Sequence, residues 1–187
     1  CFYCSAFEYD LTFFVAYIIW STSYSNFVLY EEAILDAEEA IGSHRFTANG
    51  SNRGLAEAYN TRAMANFGLG NLQRGLSDVS QAITIDGNFA RAYSNRSYMY
   101  TSVKELDLAI IDASKAIELD PDLATAYANR AEAYLRSNNL SKAIEDSSAA
   151  LSRDSTLLGA RVSRAISFLG MEEYTGAYED ANIVLTQ

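Results

Sequence analysis

Four arginines and four aspartates recur in step along this chain. Arg62, Arg96, Arg130 and Arg164 stand 34 residues apart, and so do Asp78, Asp112, Asp146 and Asp180. Each arginine is followed 16 residues later by an aspartate. Opposite charges at a fixed offset suit ion pairing between two elements of one structural unit, which sets register more than it adds stability. The spacing predicts a ladder of Arg–Asp pairs. Asp36 belongs to the aspartate series, but Trp20 occupies the arginine place before it.

Other reactive groups are sparse. The two cysteines, Cys1 and Cys4, form one C-x-x-C with no second pair, short of a four-ligand zinc site. Free thiols or a local disulfide are the plain reading, and a lipid on Cys1 is the alternative. The single histidine, His44, lies beside a polar loop, where solvation is its ordinary fate. Neither a nucleophile–base spacing nor a Gly-rich phosphate loop occurs. The expectation is a non-enzymatic protein with no metal and no cofactor.

The elements that carry the ladder follow from periodicity. Residues 124–157 place apolar and small side chains at helical spacing on both sides of Ser137-Asn138-Asn139, which reads as helix–turn–helix. The same pattern recurs 34 residues earlier, 34 earlier again and 34 later. First helices are predicted over about 56–69, 90–102, 124–137 and 158–170, and second helices over about 72–85, 106–118, 140–152 and 174–186. Gly70-Asn71, Asn138-Asn139 and Gly170 are the turn signals, and Pro121 stands where a helix must stop.

The repeats divide the chain into an aromatic-rich extension (1–13), a degenerate first repeat (14–47), a loop insertion (48–55) and repeats two to five at 56–89, 90–123, 124–157 and 158–187. Residues 11–30 carry no charge and are long enough to span a bilayer, but Ser, Thr and Asn crowd their second half. A first repeat explains them better, because Tyr17 falls in step with Tyr59, Tyr93 and Tyr127.

These residues resemble the tetratricopeptide-repeat family. In the fourth repeat the resemblance rests on Tyr127, Ala131, Tyr134, Ala143, Ser147 and Ala150; in the third, on Tyr93, Ser97, Tyr100, Ala109, Ala116 and Pro121. Asn66 and Gly75 depart from the pattern in the second repeat, and Arg161 replaces an aromatic in the fifth. The resemblance implies an all-α fold, a right-handed solenoid of about five stacked helix pairs, the first degenerate. It also implies a protein-binding scaffold whose first helices line a concave groove. Carried over by position, the groove residues are Asn60, Met64, Phe67, Arg91, Ser94 and Tyr98, followed by Thr101, Thr125, Ala128, Glu132 and Leu135. Some family members clamp a peptide's terminal carboxylate with groove cations. Arg91 and Asn95 are the sole hint of that here, so this specificity is not expected.

Charge and ends complete the reading. The net charge of −10 argues against nucleic acid and anionic membrane as partners. Stacked arrays ordinarily finish in a polar cap. This chain offers Phe14, Tyr17, Trp20 and Tyr24 at one end and Ile183, Val184 and Leu185 at the other. The preferred expectation is a protein partner that is another copy of the chain, joined end to end, as in an extracellular filament. The alternatives are a monomeric adaptor holding a peptide or helix in its groove, and a membrane-anchored assembly factor. Asn49, Asn95 and Asn139 open N-x-S sequons, so N-linked glycans are candidates, with Asn49 and Asn139 ahead of Asn95. On these grounds an extracellular or cell-surface location is slightly favoured over the cytoplasm.

Overall fold

A computed structural model describes residues 29–42 and 52–186 of the chain. All regular structure among them is helical. The order is α1 (residues 29–42), α2 (Asn52–Gly68), α3 (Leu72–Ile85), α4 (Ala90–Ser102), α5 (Leu106–Leu119), α6 (Ala124–Arg136), α7 (Leu140–Arg153), α8 (Leu158–Gly170) and α9 (Tyr174–Leu185). Each helix from α2 onward packs on its neighbours in sequence, and α4, α6 and α8 also meet one another in turn. The result is a helical solenoid with α2, α4, α6 and α8 on one face.

Small side chains set the helix spacing. Ala63, Ser97 and Ala131 on first helices face Ala109, Ala143 and their equivalents on second helices, and all of these five are fully buried. Gly75 takes that place in α3, where a Cβ would sit 2.9 Å from the Ala63 carbonyl oxygen. Here glycine admits a closer approach than alanine would. Larger groups fill the spaces between pairs: Phe89, Met99 and Val79 form the core around α2–α4, and Leu151 with Ala150 and Ala160 the core between α7 and α8.

The four turns are alike in backbone and unlike in sequence. Gly70, Lys104, Asn138 and Glu172 hold the same place in successive repeats, and all have positive φ, between 61° and 79°. In each, the next residue's N–H reaches back five residues: Asn71 to Asn66, Glu105 to Tyr100, Asn139 to Tyr134 and Glu173 to Phe168, at 2.8 to 3.0 Å. This closure caps the first helix. The left-handed turn residue of the fifth repeat is therefore Glu172; Gly170 instead ends α8 against Leu140. A branched-free but Cβ-bearing residue costs about 1 kcal/mol there. Glu172→Gly is expected to raise the stability of the fifth repeat by about that amount, read as a higher urea midpoint.

One boundary moves. The stretch 48–55, read as a loop, is helical from Asn52 onward. Arg53 explains the early start: its guanidinium lies 5.0 Å from the Phe89 ring centroid and 3.8 Å from Asp86, fastening the first turn of α2 to the connection between α3 and α4. Residues 1–28 and 43–51 lie outside the described residues, and with them the predicted extension, the first part of the predicted first repeat and the rest of the predicted insertion.

Candidate functional site

The ladder is built from identical rungs. Arg62 donates through Nε and Nη2 to the two carboxylate oxygens of Asp78, at 2.9 and 2.7 Å. Arg96 does the same to Asp112 (2.7 and 2.9 Å), Arg130 to Asp146 (2.7 and 2.8 Å) and Arg164 to Asp180 (2.7 and 2.8 Å). The carboxylates are buried and the guanidiniums half-buried. This two-pronged hydrogen bond holds each of the four arginines above its ordinary pKa, against the opposing effect of burial.

Each rung also ties a repeat to the one before it. The remaining guanidinium nitrogen, Nη1, donates to Ser80 from Arg96 (3.2 Å), to Ser114 from Arg130 (3.0 Å) and to Ser148 from Arg164 (3.1 Å). In the first repeat Glu38 takes the serine's place, 3.7 Å from Arg62. Asp36, without an arginine of its own in sequence, is exposed on α1. The fifth repeat adds Arg161, which is buried, donates to the Ser155 carbonyl (2.9 Å) and shares Asp180 at 3.4 Å.

The groove residues separate into a floor and a rim. Asn60, Ser94 and Thr101 are buried. Asn95 donates its amide to Asn60 Oδ1 (2.9 Å), and Asn129 donates to the Ser94 carbonyl (2.8 Å) and hydroxyl (3.0 Å). These bonds tie α2 to α4 and α4 to α6, so the floor residues join helices. Met64 and Phe67 pack against the first core, and Phe67 meets the edge of Tyr98 at 5.3 Å. Arg91 and Thr125 are exposed, and Leu135 is half-buried.

A cavity of about 530 Å³ opens on this face across α4, α6 and α8. Tyr98, Thr101, Thr125, Ala128 and Glu132 line it together with Val162. Its two charged residues are matched: Glu132 accepts from Arg136 at 2.6 Å and from the Ser163 hydroxyl at 2.8 Å. What remains open to a partner is a mixed surface in which Tyr98 (46% exposed) and Val162 (40%) stand beside the hydroxyl-bearing Ser102 and Thr125.

A second cavity, of about 480 Å³, lies between α8 and α9 and is lined by apolar and aromatic side chains, Tyr174 and Tyr178 among them. Leu185, 84% exposed, and the half-buried Val184 line it, whereas Ile183, 37% exposed, does not. At the other end Phe14, Tyr17, Trp20 and Tyr24 lie outside the described residues, as do Asn49, Cys1, Cys4 and His44. Of the remaining sequons, Asn139 is exposed at the start of α7, whereas the Asn95 amide is engaged with Asn60. Among the described residues there is no cluster of His, Cys, Asp or Glu able to hold a metal, and no helix long and apolar enough to cross a membrane.

A solenoid of helix pairs with a first-helix groove defines the class of helical-repeat proteins. Two family models described as tetratricopeptide repeat match residues 90–123 and 113–145. Residues 90–145 thus carry tetratricopeptide repeats. No curated protein sequence matches it significantly. Among solved structures it is similar to the Arabidopsis OM64 TPR domain (21% identity, TM-score 0.59), covering 63% of this chain and 97% of that one. It is also similar to MamA 41-end from Desulfovibrio magneticus RS-1 (19% identity, TM-score 0.63), covering 86% of this chain and 94% of that one. A third is the second TPR domain of human RPAP3 in complex with the HSP70 peptide SGPTIEEVD (24% identity, TM-score 0.56), covering 60% of this chain and 93% of that one. At these identities the likeness concerns the fold.

Proposed function

We propose that this protein is a non-enzymatic interaction scaffold whose groove across α4, α6 and α8 receives an apolar segment of a protein partner. The observation that carries this reading is the cavity bounded by Tyr98, Ala128 and Val162, in which Glu132 and Arg136 neutralise each other. Apolar anchors in a neutral groove suit a helix or extended peptide presenting Leu, Ile or Phe. The RPAP3 neighbour holds an acidic peptide. The present cavity has no lysine in its lining, and its one arginine is already paired. The test is titration of fluorescent peptides: an amphipathic Leu/Phe-bearing peptide binds, and SGPTIEEVD does not. The reverse order of affinities removes the proposal.

Self-association is a second reading, favoured by the apolar cavity between α8 and α9. An assembly of this kind closes as a pair or ring or grows as a filament, and the stoichiometry at rising concentration tells these apart.

Glycans would fall where an asparagine amide is free. In cells that export and glycosylate the chain, Asn139 is expected to carry a glycan and Asn95 to remain bare, because the Asn95 amide is held by Asn60. Peptide mapping of the secreted protein reads this directly.

A further inference from the structure

Asn66 interrupts a series of rings. Tyr100, Tyr134 and Phe168 hold the same place in the next three repeats, and all three are half-buried. Each of those rings has close company. Lys142 lies over the Tyr134 ring, 5.1 Å from its centroid, and Arg96 lies 5.9 Å from that of Tyr100. Phe168 lies against Gly176, where an added Cβ would meet the ring at 2.9 Å. In the second repeat the counterparts of Arg96 and Lys142 are Arg62 and Arg74. This repeat keeps both cations and has no ring between them.

The substitution leaves space. A cavity of about 790 Å³ opens between α1, α2 and α3, lined by Asn66, Arg62 and Arg74 together with the apolar Ile34, Leu35 and Leu69. It shares no residue with the groove across α4, α6 and α8. We infer that this cavity is a second binding site, which takes a tyrosine side chain presented by a partner peptide.

Three observations select that ligand. First, the same helix-pair geometry holds a ring at this place in three sister repeats, so the slot has the shape of a ring. Second, a cation is free to lie on the ring's face. Arg74 is exposed and makes no ion pair among the described residues, while Arg62 is fixed by Asp78 at 2.7 Å. Third, a hydrogen-bond acceptor is waiting. Asn66 is 5% exposed; its Nδ2 donates to Asp78 at 3.4 Å, and its Oδ1 accepts from none of the described residues. A buried acceptor without a donor suits a phenol hydroxyl, which phenylalanine lacks. Leucine offers neither the ring nor the hydroxyl. A phosphorylated tyrosine is disfavoured, because Glu31, Glu38 and Asp78 in the lining outnumber the two arginines.

NMR titration of the isotope-labelled 187-residue chain with capped pentapeptides tests the inference. The peptides are alike except for a central Tyr, Phe or Leu between Gly and Ser. The Tyr peptide is expected to shift the Asn66 side-chain amide signal saturably at about millimolar concentration. The Phe peptide binds about 5-fold more weakly for want of the hydroxyl, and the Leu peptide does not bind. Asn66→Tyr fills the slot with the ring that repeats three and four carry. It is expected to abolish binding of the Tyr peptide and to raise Tm by about 2–4 °C. Arg74→Ala, at an exposed position, is expected to weaken binding by about 3-fold with Tm unchanged. Equal binding of the Leu peptide, undiminished binding by Asn66→Tyr, a lower Tm in that variant, or no binding at all overturns the inference. The groove reading is tested apart from it, because Asn66→Tyr is expected to bind the amphipathic Leu/Phe-bearing peptide as the parent does.

Discussion

Asp146→Ala is expected to destabilise the array by about 2–3 kcal/mol, with a fall in Tm of about 5–10 °C. Asp146 is buried and accepts two hydrogen bonds from Arg130, at 2.7 and 2.8 Å. Without it, Arg130 keeps one hydrogen bond, to the Ser114 hydroxyl at 3.0 Å, and the Tyr127 ring at 5.9 Å, for a guanidinium held between two repeats. Removing one member of a fully buried pair costs about 3–5 kcal/mol. The Arg130 side chain is 21% exposed, so water offsets part of the loss. Replacing both members with leucine is expected to be far milder, within about 1 kcal/mol of the parent. The contrast between the single and double variants in urea melts isolates the stranded charge. A single variant within about 0.5 kcal/mol of the parent would refute the account.

The same rung sets an expectation for pH. A raised arginine pKa contributes stability that is fully present below the unfolded value and lost as pH rises through the folded one. For Arg62, Arg96, Arg130 and Arg164 both values lie at strongly alkaline pH, so the ladder arginines stay charged across the neutral range.

How far this was legible in the sequence differs from residue to residue. The Arg–Asp rung stands out because two charged residue types recur at one offset, and charge is rare enough on a helix flank to be noticed. Its third member is not conspicuous. Ser80, Ser114 and Ser148 recur just as regularly, but serine is common, and its partner lies in the next repeat. The turn residue Glu172 was hidden for a related reason. A left-handed position advertises itself through Gly or Asn, and the nearby Gly170 drew attention two residues too early. The groove was harder to read for another reason. One residue is a rotation of about 100° on a helix, so adjacent positions divide between floor and rim. Asn60 and Ser94 turn inward, while Tyr98 and Thr125 turn outward, and composition alone does not tell them apart.

Tyr98→Ala is expected to weaken binding of an apolar peptide by about 30-fold, equivalent to about 2 kcal/mol. Tyr98 is the large aromatic on the rim, braced by the Phe67 ring at 5.3 Å, so it meets a partner already oriented. Its exposure of 46% means that truncation removes contact surface and little core. A loss of fold is therefore not the cause of a loss of binding. Thr125→Glu approaches the same question from the opposite side. Thr125 lies in the first turn of α6, where a carboxylate is favoured by the helix dipole, so the substitution leaves the fold at least as stable. It nevertheless puts a further charge into a cavity whose own Glu132 and Arg136 are already paired. An apolar peptide must then desolvate that charge, and its affinity should drop by at least 10-fold with no decrease in Tm. If both variants bind as the parent does, the groove across α4, α6 and α8 is not the binding surface. If Thr125→Glu weakens binding in 0.1 M and 1 M salt alike, the effect is desolvation; if high salt restores it, the partner is acidic and the groove reads charge.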